Sequence, residues 1–210
     1  MLNQFIDDFY DVLFKPAKGF ARVAAERTIW HGLVVYMVVS LVSSLTAIAT
    51  ANAGGYAGDA GGFLSPEAMA MLFRSSPALS LVSIIVFSPL LLFLWSAVLN
   101  FSAELLGGQG RGLRLGAAIG YAQLPYILVV PISLAARYLA VDIVGLAGFV
   151  AFVWSIVLKI TAIRQVHSFS TRRAALAYFL PALVLIGALI IFILFLAAFL
   201  MPLLMEFFPL

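Results

Sequence analysis

Ten of the twelve Lys and Arg residues in this chain fall on one side of a single alternating pattern of apolar runs and short polar segments. The runs cover residues 31–51, 77–103, 113–136, 141–163 and 175–205. About 20 consecutive apolar residues carry an α-helix across the hydrocarbon core of a bilayer, and each run reaches that length. Lys15, Lys18, Arg22, Arg27, Arg111, Arg114, Lys159, Arg164, Arg172 and Arg173 lie before the first run, between the second and third, or about the join of the fourth and fifth. The opposite side receives Arg74 and Arg137. Basic residues near span ends favour the cytoplasmic side. The expectation is therefore an all-α integral membrane bundle of five transmembrane helices, N-terminus inside and C-terminus outside, preceded by an N-terminal amphipathic interfacial segment.

Composition excludes the soluble alternative. Only 10% of the residues are charged and the mean hydropathy is +1.14, whereas a soluble domain carries about 25% charged residues. The net charge of +3 follows from the sidedness of the loops and needs no nucleic-acid partner. With no Cys in the chain, disulfides, thiolate metal sites and thiol catalysis are excluded. Many charges precede the first apolar run, unlike a cleavable signal, so that run is expected to act as an uncleaved anchor.

The chain divides into a cytoplasmic segment, residues 1–30, and a membrane domain, residues 31–210. Within the first, Phe5, Ile6, Phe9, Val12 and Leu13 are expected on one helical face and Asp7, Asp8 and Asp11 on the other, an amphipathic spacing. Lys15-Pro16 interrupts it, and residues 17–27 are expected to form a second short helix. Lys18, Arg22 and Arg27 would then meet anionic headgroups at the membrane surface; docking to a partner protein is the other reading. Beyond the first span, residues 52–62 are rich in Gly and Ala. Ser65-Pro66-Glu67 then has the make-up of a helix start, an N-cap followed by Pro and an acid, with Met69, Leu72 and Phe73 on one face. Asp142 would favour the N-terminus of the fourth span.

The densest group of unusual residues runs from Asn100 to Pro125. Glycines 112, 116 and 120 repeat at four-residue spacing, which makes a flat stripe for backbone-close helix packing or for a helix that rocks during transport. Prolines 89, 125 and 131 lie inside spans, where they free carbonyls and bend helices. Glu104, near the inner end of the second span, is a candidate for an ion pair with Arg111, Arg114 or Lys159, for proton or cation binding, or for a fully solvated carboxylate. Asn100, Gly108, Gln109, Tyr121 and Gln123 complete this candidate polar cluster with Arg111, Pro125 and Lys159. Arg114, Arg172 and Arg173 are further candidates for lipid-headgroup contact. The turn at residues 107–112 lacks the Gly-Lys-Ser/Thr ending of a phosphate loop. His31 and His167 fall in no metal-ligand spacing. No nucleophile–base motif is present, so catalytic, cofactor and metal sites are all expected to be absent. The Asn100-Phe101-Ser102 sequon lies beside the inner end of a span and is not expected to be used.

Several segments resemble one family. Phe14-Lys15-Pro16 ahead of the first span, the Gly-rich turn after the second, and Gly120-Tyr121-x-x-Leu124-Pro125 in the third are similar to the Yip1 (YIPF) domain family. Ser168-Phe169-Ser170-Thr171-Arg172-Arg173-Ala174, entering the fifth span, resembles its prokaryotic branch. The resemblance extends from about Phe5 to Leu200. It implies a five-span bundle with a cytoplasmic N-terminus and a non-enzymatic role in organising lipid or protein partners at the cytoplasmic face, in a bacterial inner membrane. Eukaryotic members associate with Rab-type GTPases and with one another; the short segment before the first span argues against a GTPase partner here. Membrane lipids, a second copy of the chain and other membrane proteins remain the expected partners. The alternative is a small transporter or channel with a polar path near Glu104 and Gln123.

Overall fold

The structure, a computed structural model, describes residues 2–51, 77–136, 138 and 143–207. The expected loop features at residues 52–76, including the Ser65 helix start and Arg74, lie outside the described residues, as do Arg137 and Asp142. Among the described residues the chain forms eight helices and no strand. They are α1 (Leu2–Phe14), α2 (Pro16–Glu26), α3 (Ile29–Ala51), α4 (Pro77–Leu105), α5 (Gly112–Tyr121), α6 (Pro125–Ala136), α7 (Val144–His167) and α8 (Thr171–Phe207). Five stretches are long and apolar enough to cross a membrane: α3, α4, α5 with α6, α7 and α8.

The third span departs from a continuous kinked helix. It is broken into α5 and α6 by a turn at residues 122–124. Pro125 has no N–H to extend α5, and its ring disfavours helical geometry at Leu124. The freed groups close on themselves in tight turns: Leu124 N–H donates to the Tyr121 carbonyl at 3.1 Å and Ile127 N–H to that of Leu124 at 3.0 Å. Pro89 and Pro131, by contrast, sit inside unbroken helices. The fourth span is shifted relative to expectation, ending at His167 rather than near residue 163. It stops there because Ser168 turns left-handed, at φ 54°, and Phe169 N–H reaches back to the Arg164 carbonyl at 3.0 Å. This is a Schellman-type closure.

The short helix α5 is the hub, packing against α2, α3, α4 and α7. Its contact with α3 is backbone to backbone. A Cβ on Gly120 would be driven into the carbonyl of Gly32, and one on Gly32 into that of Ala117. Lipid tails are as apolar as the side chains, so helices in a bilayer gain little from hydrophobic burial and associate through such close fits. The glycine stripe read from the sequence is thus used for packing, with Gly32 as its unpredicted counterpart.

Burial is concentrated at one end of the bundle. Val12, Phe20, Val23, Leu99, Leu115, Ile119, Leu158, Ile163 and Ala177 all belong to one buried cluster. Beyond Pro181, by contrast, α8 is exposed around nearly its whole circumference to Leu200. The buried end, where α1 and α2 cover the spans, also carries Lys18, Arg111, Arg114, Arg172 and Arg173.

Candidate functional site

Two polar constructions occupy the buried end. The first is inside the α1–α2 hairpin. The hairpin can close tightly because Gly19 lets the two backbones meet; a Cβ there would lie 2.7 Å from Val12 N. The apolar and acidic faces expected of α1 are not separated in the structure. Val12 and Leu13 are buried together with Asp8 and Asp11, whereas Phe5, Ile6, Tyr10 and Phe14 are exposed. The expected division into two faces is therefore corrected. A buried carboxylate is stable only when paired, so Asp8 and Asp11 turn toward cations within the protein.

Those cations are on and just after α2. Asp8, 1% exposed, accepts from Arg22 Nε on one carboxylate oxygen and from Arg27 Nε on the other, each at 2.7 Å. A second guanidinium nitrogen of Arg22 lies 2.8 Å from Asp11, with Lys18 Nζ at 3.5 Å from the same oxygen. Charge-assisted bonds of this length are the strong class of hydrogen bond. Burial pulls the Arg22 pKa down, but its bonds to Asp8 and the charges of Asp8 and Asp11 outweigh that and raise it. Arg27 is raised first by its bond to Asp8. A raised arginine holds its contribution at every pH below the arginine range, so both cations stay charged under all ordinary conditions. Arg22 and Arg27, expected at lipid headgroups, are thus committed to Asp8. Lys18, Arg114, Arg172 and Arg173 remain exposed. The Tyr121 side chain, fully buried on α5, lies within electrostatic reach of Asp8, Arg27 and Arg22. It is the one member of the expected cluster that belongs with the clamp.

The second construction joins the turn after α4 to the turn after α7. Gly107, at φ +83°, ends α4, with its N–H on the Glu104 carbonyl at 2.9 Å and Gly108 N–H on that of Ala103 at 2.9 Å. This is a Schellman motif that only glycine adopts without strain. The turn then passes over His167, and Gly110 N–H donates to His167 Nδ1 at 2.9 Å. Cβ atoms on Gly108 or Gly110 would each come within 2.6 Å of that nitrogen. Phe169 stacks on the imidazole at 5.6 Å. His167 is 6% exposed, and its Nε2 is buried without a partner. An orphaned buried donor costs about 1–3 kcal/mol.

Beside this turn Asn100 Nδ2 donates to Glu104 at 2.7 Å, while Asn100 Oδ1 is buried without a partner. The structure places Asn100, Glu104, Gly108, Gln109 and Arg111 at or beside one turn, with His167 against it. Glu104 makes no ion pair among the described residues: Arg111 and Arg114 are exposed, and Lys159 is buried on α7 with no acid against it. Gln123 and Pro125 lie elsewhere, at the break of the third span. Asp8, Asp11 and His167 escaped the sequence reading. Nothing local marks Asp8 or His167, because the partners of Asp8 are 14 and 19 residues away and that of His167 is 57 away in the chain, and Asp11 joins them through the same Arg22.

The family model of the Yip1 domain matches residues 10–195. No curated protein and no solved structure matches the chain.

Proposed function

We propose, from the premise that this chain belongs to the Yip1 domain family, that it organises lipid and protein partners at the cytoplasmic face of a bacterial inner membrane, without catalysing a reaction. The protein is an integral membrane protein with five apolar helices long enough to cross a bilayer. The observation that supports the organising role is the clamped α1–α2 hairpin, docked on α5 and α7 with Phe5, Ile6, Tyr10 and Phe14 facing outward. With N-in, C-out threading this hairpin sits at the inner leaflet, one residue pair before α3 begins at Ile29. Its apolar face meets acyl chains, and Lys18, Arg114, Arg172 and Arg173 meet anionic headgroups. Each basic group near such a surface contributes about 1 kcal/mol. The exposed length of α8 is left for lipid, a second copy of the chain or another membrane protein.

The test uses the absence of native Cys. A polarity-sensitive dye on Phe14→Cys, in vesicles containing anionic lipid, should be quenched by lipid-attached quenchers and shielded from soluble ones. The same dye on Gln109→Cys, in the exposed turn, should show the reverse. Equal access of a soluble quencher to both sites would remove the hairpin from the membrane and leave a soluble partner as its occupant.

A second reading, a small transporter or channel, is supported by the break in the third span. Broken helices at membrane depth line solute and ion sites in transporters, and here Tyr121 borders the break and Gln123 lies within it. It requires a saturable solute flux in liposomes, lost in Glu104→Gln with the fold retained. The leading proposal expects no such flux from either protein, and a flux that needs Glu104 would overturn it.

A further inference from the structure

We infer that His167 is a proton-operated latch between the two turns at this end of the bundle. The neutral ring holds the turn at residues 107–111 against the join of α7 and α8, and protonation lets that turn go.

The hydrogen bond itself carries the argument. Gly110 N–H donates to Nδ1 at 2.9 Å, so Nδ1 must present a lone pair and the single proton of the neutral ring sits on Nε2. A second proton converts Nδ1 into a donor. It then faces the Gly110 N–H, donor against donor. There is little room to relieve this, because the backbone at Gly108 and Gly110 runs so near the ring that an added Cβ at either would lie 2.6 Å from Nδ1. Phe169 stacks against the imidazole face. Nor can Nε2 absorb the change, being buried with no acceptor.

The charges around the ring set where it turns next. Glu104, on α4, is the charge that reaches it. On its own helix, Arg164 is engaged with Thr171 Oγ1 at 3.2 Å. Arg111 in the turn and Arg172 and Arg173 on α8 are exposed to the surroundings. Glu104 is itself exposed and bonded only through Asn100. The imidazolium therefore has an attractive alternative on α4 at the moment it loses its acceptor role. The Schellman closure, made by the Gly107 and Gly108 N–H groups on carbonyls of α4, does not involve the ring, so the helix end stays put while residues 109–111 swing from it. Gln109 and Arg111 are the side chains whose presentation changes. The latch is thus closed while the ring is neutral and open once it takes up its second proton.

The full chain in lipid nanodiscs tests this, with His31→Gln leaving His167 as the sole imidazole and a nitroxide on Gln109→Cys. The ratio of mobile to immobile label should rise about tenfold per pH unit on acidification, as a one-proton equilibrium requires. Its midpoint should coincide with the imidazole titration followed by nitrogen-15 NMR. His167→Gln, which takes up no proton, should give a label whose mobility ignores pH. A label that stays immobile after NMR shows His167 protonated overturns the latch, and so does a pH response that persists in His167→Gln. Should that variant fail to fold, the coincidence of the two midpoints in the His167 protein decides the question alone.

Discussion

Asp8→Asn should detach the α1–α2 hairpin from the bundle. The substitution preserves shape and removes one charge, but that charge neutralises both Arg22 and Arg27, through separate carboxylate oxygens at 2.7 Å. Their side chains are only 25% and 15% exposed, so neither is well hydrated in place. Removing one partner of a buried pair costs about 3–5 kcal/mol because the other charge is left uncompensated. The partial exposure of the arginines puts this site at the lower end, about 3 kcal/mol. Docking of α2 on α5 and α7 is the only thing such a loss needs to overcome, so the hairpin should open while the spans stay folded. Limited trypsin digestion reads this directly: cleavage after Arg22 and Arg27 should become rapid in Asp8→Asn and stay slow in the parent. Asp11→Asn should have a smaller effect, since Arg22 keeps Asp8 and Lys18 is 67% exposed. Asp7→Asn, at an exposed position, should have none. Equal trypsin resistance in Asp8→Asn and the parent would mean that apolar packing of Val12, Phe20 and Val23 holds the hairpin without the clamp.

Gly120→Ala should be the most damaging single methyl group in the spans. The added Cβ meets the Gly32 backbone, and neither a carbonyl nor a Cα can rotate aside as a side chain would. Overpacking costs about 1–3 kcal/mol where side chains can adjust, and here α3 must move away from α5 as a body. Gly32→Ala meets Ala117 from the other side of the same contact and should cost a similar amount. The double variant should be less than additive, because one separation of the helices relieves both clashes. Gly148→Ala and Gly187→Ala have nothing within 4 Å of the new Cβ and should leave thermal stability in detergent unchanged or slightly raised, Ala being the better helix former. A stability loss of the same size at Gly187 as at Gly120 would show that glycine content, and not the α3–α5 contact, sets the effect.

The two predictions differ in how far the sequence foreshadowed them. Glycines 112, 116 and 120 stand out as a stripe because four-residue spacing is local and helical periodicity converts it into a face. Gly32 does not stand out, since an isolated glycine acquires meaning only from the helix that lands on it. The hairpin shows a more instructive mismatch. Apolar and acidic residues of α1 were separable by period, yet period says nothing of which of them pack against α2. Asp8 and Asp11 turn inward because Arg22 and Arg27 are there to pair with them. His167 shows a third kind of limit. Its partner is a backbone N–H, which every residue but proline carries, so no residue type at any spacing announces the bond.

By itself the sequence determined the helical class and the five apolar crossings, because bilayer thickness sets a minimum run length that can be read one residue at a time. It also marked Pro125 as a site of distortion, since proline removes a donor wherever it stands, but as a kink and not as the break that the structure has. The tertiary structure alone decided which charges are spent inside the protein and which face outward, how closely α3 and α5 approach, and which turn closes over His167. Those outcomes depend on groups that are distant in the chain and meet only after the helices pack. A buried charge or polar atom is stable only with a partner, and in this fold packing supplies the partners for Asp8 and for His167 Nδ1, and leaves Nε2 with none.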